Sequence, residues 1–389
     1  MENETYQKPQ CSKDFRELLD SPNFTDWKWQ QRNSINNVQK LLNAFPFLSE
    51  ATINTITKAN RTLKLGITPY YASLFQVGED FEQDPLWQQV IPRVHEEQEF
   101  AYNSTTENWE VENDMVNPIA QRKYDNRVII RLSNVCHSYC QFCYEALRTL
   151  EKKSDKEQFS SRHWEDTLHF IDRDKEIQEI ILSGGEPLML SNKMLEKVFT
   201  DIRSVRSDIV IRIHTRSLTF NPYRIDEELI NLLKKHQIKY IGIHITHPNE
   251  LSPVFFEKAA LLQEAAILFA NIPLLKGIND DITLFKRFCM QLYENGILPH
   301  YLYHFMPFSP GSSQFQTPIS TGINLIKQMK RHISNLAVPE FVLPHHSGKY
   351  TVPIIYEKEG YSALFETLEE PLQTVQFVNW QNQKVTYPI

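Results

Sequence analysis

Glycine and cysteine are scarce in this sequence, 11 and five in 389 residues. So little glycine excludes a collagen-like or glycine-rich repeat chain. Five cysteines, Cys11, Cys136, Cys140, Cys143 and Cys289, are too few and too unevenly spaced for a disulfide framework. No apolar run of membrane-spanning length is free of charges, so no membrane span is expected. The opening Met-Glu-Asn-Glu-Thr-Tyr has neither the basic start nor the apolar stretch of a secretory signal, and a cytoplasmic protein is the expectation. A surplus of positive charge is lacking too: 41 Lys and Arg stand against 48 Asp and Glu, a net charge of -7 with a pI near 6.0. A chain that neutralises phosphates for a living carries the opposite sign, so nucleic acid is not an expected partner.

What remains is a globular composition, 41% hydrophobic and 12% aromatic against 23% charged, in a chain long enough to bury a sizeable core. From Asp14 to about Arg61 apolar residues recur at helical spacing, as in Phe15-Arg-Glu-Leu-Leu and Val38-Gln-Lys-Leu-Leu. Residues 66–126 are rich in acids and aromatics, and Pro69, Pro85 and Pro92 interrupt any periodicity, which predicts loops lying over another domain. From Arg127 the texture changes. Six β-branched runs begin at Val128, Glu179, Ile209, Tyr240, Leu268 and His300, and amphipathic stretches such as Met194–Phe199, Glu227–Lys235 and Ile282–Phe288 lie between them. After the first unit the beat is roughly 30 residues, the length of a βα unit in a parallel sheet. An α/β fold follows, either a partial barrel or an open doubly wound sheet, and periodicity does not choose between them. In both, chemistry sits at the C-terminal ends of the strands. A last helix is predicted near Ile323–Ile333, with loops and short strands beyond it.

Two motifs follow consecutive strands. The first is Cys136-His-Ser-Tyr-Cys140-Gln-Phe-Cys143. Three thiolates on one loop can hold three irons of a cubane cluster and leave the fourth open to a ligand; a zinc site completed by His137, or three packed thiols, is the alternative. The second is Leu182-Ser-Gly-Gly-Glu-Pro-Leu188, where two glycines permit close backbone approach and Glu186 can accept a hydrogen bond from an ammonium or a ribose hydroxyl. Alone it reads equally as a tight turn. Its place one unit after the cysteine loop puts both on the same rim of the sheet.

Together these motifs resemble the radical S-adenosylmethionine (SAM) superfamily. The resemblance implies a six-unit partial barrel, a four-iron, four-sulfur cluster on Cys136, Cys140 and Cys143, and Ser183, Gly184, Gly185 and Glu186 around the amino group of SAM. Longer segments are similar to the lysine 2,3-aminomutase family, from about Asp26 to Pro353: Trp27-Lys-Trp-Gln-Gln-Arg-Asn, Gly66-Ile-Thr-Pro-Tyr-Tyr-Ala-Ser-Leu, Asp84-Pro-Leu-Trp-Gln-Gln-Val-Ile-Pro, His247-Pro-Asn-Glu and Leu274-Leu-Lys-Gly-Ile-Asn. That family also uses pyridoxal phosphate. By resemblance Lys349, in Leu343-Pro-His-His-Ser-Gly-Lys, holds it covalently, and Lys123 and Arg127 hold its phosphate; Asn271 and Arg216 fall where the family contacts SAM or where a strand ends. The implied division is a helical N-terminal extension over 1–120, a barrel core over 121–335 and a C-terminal segment over 336–389 that carries Lys349.

The substrate positions depart from the lysine enzymes. Where those place an arginine for the substrate carboxylate, two residues after the last cluster cysteine, this chain has Glu145, and Arg148 is one turn further on. The two aspartates that meet the distal ammonium align with Met306 and Leu343, while His345, His346 and Ser347 could meet a polar or acidic side chain. A buried ammonium against Met and Leu is costly. The expectation is an isomerase, an aminomutase that moves an α-amino group to the β-carbon of an amino acid other than lysine. The alternatives are an epimerase, deaminase or lyase with the same cofactors, or action on a protein-bound lysine. Expected partners are a small amino acid and an electron donor such as flavodoxin or ferredoxin, and a homo-oligomer is left open.

Overall fold

The β-branched runs from Arg127 onward lie side by side in one sheet. The structure, a computed structural model, describes residues 11–76, 81–93, 111–152, 159–306, 311–345, 348–352, 374–378, 381 and 383–388. Ten strands are hydrogen-bonded in sequence order: β1 Met115–Asn117, β2 Ala120–Tyr124, β3 Arg127–Arg131, β4 Glu179–Ser183, β5 Val210–Thr215, β6 Tyr240–His244, β7 Ile267–Pro273, β8 Ile297–Tyr303, β9 Glu340–His345 and β10 Gly348–Thr351. Neighbours from β3 to β9 are parallel, and β1, β2 and β10 extend the edges in antiparallel fashion. This order settles the fold. Right-handed crossovers that always step in the same direction put their helices on one face, whereas a doubly wound sheet must reverse its strand order. With β1 and β10 not paired to each other, the result is a partial barrel.

All six sequence-predicted strands are present, and β9 adds a seventh parallel one. Its apolar run is short, Phe341-Val342-Leu343 before Pro344, which is why the sequence suggested no more than a short strand. A separate hairpin, β11 Thr374–Val378 and β12 Lys384–Pro388, follows.

Strand alternation builds the two faces. Val128, Ile130, Ile180, Leu182, Ile211, Ile213, Ile241 and Ile243 are buried under the helices, while Ile129, Arg131, Ile181, Ser183, Arg212, His214 and His244 line the lumen. The helix Asn192–Val205 illustrates the outer layer: Ser191 caps it, and Leu195, Val198, Phe199 and Ile202, at spacings of three and four, face the sheet.

The N-terminal helices Lys13–Leu19, Val38–Ala44 and Glu50–Ala59 form a second core with Phe45, Phe75, Phe81 and Trp87, and a further helix, Trp27–Arg32, sets Trp29 against Phe24 at its margin. That core includes Phe220, which follows β5, so the extension packs at the strand C-termini. Residues 77–80 and 94–110 of the predicted loop region lie outside the described residues. In the rest, Pro69 and Pro85 start helices instead of breaking them. Each occupies the first helical position after a capping side chain, Thr68 accepting from the amide of Tyr71 at 3.2 Å and Asp84 from those of Leu86 and Trp87 at 2.8 Å. Among the described residues no helix is long and apolar enough to cross a membrane.

Candidate active site

The two motifs meet at the rim through their backbones. Leu132 N donates to Ser183 O at 3.0 Å, Gly185 N to Ser133 O at 2.5 Å and Glu186 N to Val135 O at 2.9 Å. Gly184 has φ +111°, and a Cβ there would sit 2.7 Å from Ser133 O. At Gly185 a Cβ would lie 2.6 Å from Val135 O and 2.8 Å from Val135 N. The glycine pair thus serves first to let the turn lie flat against the cysteine loop. Glu186 is buried and already accepts from Leu188 N at 2.9 Å, Thr215 Oγ1 at 2.7 Å and Arg216 N at 2.7 Å. Burial outweighs those bonds and raises its carboxyl above the ordinary range.

Cys136, Cys140 and Cys143 all border a lumen cavity of about 340 Å³. Burial, and then the repulsion of neighbouring thiolates, pushes the Cys143 thiol up to about 12, and burial raises the other two as well. Three thiols that resist ionisation side by side fit a cationic metal centre. Among the described residues no three His, Cys, Asp or Glu converge on a single ion. A cubane needs no such convergence, since each thiolate binds a different iron. His137 borders the same cavity: its Nδ1 is engaged by Gln31 and lies 3.4 Å from Asn221 Nδ2, its Nε2 has no protein partner, and burial beside Arg224 lowers its pKa to about 3. Asn271, on β7, is 1% exposed, borders the cavity and has an Oδ1 with no protein partner, so it can receive a ligand donor. Arg216 turns to the cysteine loop, with Nη1 2.8 Å from Cys140 Sγ.

Lower in the lumen, Lys349 from β10 donates its Nζ to the Tyr303 hydroxyl at 2.9 Å and lies 5.0 Å from the Tyr301 ring. By surface area its chain is open to the cavity, but its ammonium is crowded by protein. Burial first, then Arg212 and Arg127, lower its pKa to about 8. Lys123 on β2, Arg127 on β3 and Arg212 on β5 all border the same cavity. These four cations border one enclosed space; Glu179 pairs with Arg212 at 3.1 Å from outside the cavity wall, and the convergence of cations fits a phosphate. A lysine partly neutral near physiological pH fits condensation with an aldehyde.

The candidate substrate residues separate. Glu145 is buried and accepts from Arg131 Nε at 2.9 Å, with Arg148 Nε 3.5 Å from its other oxygen. Glu145 and Arg131 border the cavity, as does Met306; Arg148 does not. Leu343 packs into the outer core, and the neighbouring Pro344 faces the lumen instead. His345 ends β9 with its side chain outside the description, and His346 and Ser347 lie outside the described residues.

Sequence reasoning missed Arg131, Arg212, His214, His244, Tyr301 and Tyr303, all on the lumen wall. A signal was there: in Val210-Ile-Arg-Ile-His-Thr, polar residues alternate with aliphatic ones, which marks a strand with one polar face.

The sequence profile of the radical SAM superfamily matches residues 130–284. The chain is 31% identical to the L-lysine 2,3-aminomutase of Fusobacterium nucleatum over 333 residues, 85% of this chain and 76% of that protein. To the L-lysine 2,3-aminomutase of Clostridium subterminale it is 29% identical over 88% of this chain and 80% of that one. To the glutamate 2,3-aminomutase of Clostridioides difficile it is 27% identical over 85% and 77%.

Proposed function

As this chain belongs to the lysine 2,3-aminomutase family of radical SAM enzymes, we propose that it is a pyridoxal phosphate-dependent 2,3-aminomutase acting on an amino acid other than lysine. The observation that carries this reading is Lys349: its amine, lowered to about 8, faces Lys123, Arg127 and Arg212 in the lumen that Cys136, Cys140 and Cys143 border. When bound, the cluster and SAM supply a radical that removes hydrogen from carbon, and pyridoxal phosphate supplies a π-system that spreads the unpaired electron. The chain's own residues do the rest. Lys123, Arg127 and Arg212 would hold the phosphate and Lys349 would be the lysine that carries the cofactor, its amine oriented by the Tyr303 hydroxyl. Asn271 and the Ser183–Glu186 turn would hold SAM, and the N-terminal helices packed at the rim would exclude solvent and oxygen.

One feature supports a substrate other than lysine. Among the described residues the carboxylates on the cavity wall are Glu145 and Glu186, and both are held by protein donors. A distal ammonium would find neither open to it. Glu145 lies between Arg131 and Arg148, accepting from Arg131 Nε at 2.9 Å with Arg148 Nε 3.5 Å from its other oxygen. Arg131, on the lumen wall beside the position where the lysine enzymes place their arginine, is the candidate to meet the substrate carboxylate, a contact any amino acid would make. The reading is tested by incubating the reconstituted enzyme with SAM, a chemical reductant and single amino acids, lysine and glutamate among them. A β-amino acid formed over many turnovers per deoxyadenosine supports it. Deoxyadenosine released once per product, or turnover of lysine alone, would overturn it.

A further inference from the structure

A buried relay links the cysteine loop to the N-terminal helices. Arg216 Nη1 donates to Cys140 Sγ at 2.8 Å, and its Nη2 donates to Glu250 Oε1 at 2.7 Å and Gln89 Oε1 at 2.6 Å. Glu250 is fully buried. Its Oε1 also accepts from the Tyr71 hydroxyl at 2.9 Å, and its Oε2 accepts from Thr246 N at 2.7 Å and His247 N at 3.1 Å. The rings of Phe142 and Phe220 lie 5.3 and 4.3 Å from the guanidinium carbon and keep the pair dry.

For stability alone this arrangement is poorly chosen. Burying an ion pair carries a desolvation cost that its attraction barely repays, and an apolar pair could fill the same volume. An apolar pair could not donate an N–H to a thiolate sulfur. We propose that Arg216 sets the reduction potential of the cluster held by Cys136, Cys140 and Cys143, and that Glu250 limits how far it raises that potential. The proposal rests on the family's cluster and is independent of pyridoxal phosphate or the substrate.

The physical reason is differential stabilisation. Reduction adds one electron, supplied by an external one-electron donor, and part of the added negative charge falls on the cysteine sulfurs. A hydrogen bond from a cation to one of those sulfurs favours the reduced cluster over the oxidised one and raises the potential. No bond breaks at Arg216 and no proton moves, because a guanidinium keeps its charge. Glu250, on the other side of the guanidinium, opposes the effect, and the Tyr71 hydroxyl draws off part of the carboxylate's charge. Arg216 is thus a positioning residue; it acts on the reaction through Cys140.

The test is a potentiometric titration of the full chain, reconstituted anaerobically, with the reduced cluster followed by electron paramagnetic resonance after an iron and sulfide assay. Arg216→Met is expected to cut the reduced-to-oxidised ratio about tenfold at a fixed potential, a fall of about 59 mV for one electron. Because that variant strands Glu250 in a dry site and can unfold the loop, Glu250→Gln is measured beside it. It keeps the arginine and is expected to shift the potential the opposite way. The double variant should fall between the two. A purely structural role would leave the midpoint of every loaded variant at the wild-type value, and that result would overturn the proposal, as would shifts of both single variants in the same direction. Should Arg216→Met hold no cluster, Glu250→Gln alone decides. An unaltered protein without iron would overturn the cluster assignment itself, which the assay reports separately.

Discussion

At the rim of the barrel the backbone fixes the geometry: Gly185 N on Ser133 O at 2.5 Å and Glu186 N on Val135 O at 2.9 Å lock two consecutive strand ends together. Deeper in the lumen, side chains do it, with Lys123, Arg127, Arg212 and Lys349 arriving from four strands and facing one another across the cavity. The rim ties its two motifs together by backbone hydrogen bonds and offers three thiols. In the deeper region like charges are opposed, and His214 and His244 keep buried Nε2 atoms without protein partners. Burial lowers the pKa of both imidazoles, His244 to about 4, so they are neutral hydrogen-bonding groups at physiological pH. One region is fixed by backbone pairing, and the other by side chains that converge from distant strands.

If the two regions are separable, variants should damage them one at a time. The largest effect is expected from Cys140→Ala, which should reduce bound iron to background and abolish turnover while pyridoxal is still trapped on Lys349. The reverse loss is expected from Lys349→Ala: iron content unchanged, no trapped pyridoxal, and turnover down by about a thousandfold or more. Loss of both cofactors in either variant would show that the regions are coupled. Next comes Gly185→Ala. Its new Cβ meets backbone of Val135 that cannot swing aside, and a urea melt should show a destabilisation of about 1–3 kcal/mol.

A smaller and more specific effect concerns pH. Folding lowers the Lys349 pKa from 10.5 to about 8. The charged amine therefore opposes folding below pH 8. As the pH rises from about 8 towards 10.5 the folded chain sheds this proton while the unfolded chain keeps it, so stability rises relative to a Lys349→Met protein. Matched melts of the two proteins across that window check the sign. Burial is the main cause of the lowered pKa and Arg212 the next, so Arg212→Met should move the pH midpoint for pyridoxal capture upward without restoring 10.5. The smallest change is expected from Tyr303→Phe, which removes the acceptor of the Lys349 hydrogen bond and should slow capture only a few-fold, the worth of one such bond.

The same contrast explains what the sequence revealed. The rim was legible because its chemistry is contiguous: Cys136 to Cys143 and Ser183 to Glu186 are short segments whose spacing is their meaning. The strands were legible as β-branched runs, although their order, which decides between barrel and doubly wound sheet, is a matter of pairing. Lys349, Lys123 and Arg127 came from resemblance alone, as nothing local distinguishes them from surface charge. Arg212 and Tyr303 went unread because each is one inward position on a strand, given meaning only by a lysine far away in the chain. Glu145 was seen as a reversed charge, but its partner Arg131, 14 residues earlier, is set opposite it by the fold. Pro69 and Pro85 read as interruptions in the sequence, because a proline that ends one pattern and a proline that begins the next look alike until the cap is seen.

The account's central claim is that one lumen serves a cluster at its rim and pyridoxal phosphate on Lys349 below. The most direct test is the iron, sulfide and pyridoxal content of the anaerobically reconstituted protein, with borohydride reduction and peptide mapping. The account predicts about four irons and one pyridoxal per chain, the latter on the peptide containing Lys349. Zinc in place of iron, or pyridoxal fixed on any other lysine, would contradict it.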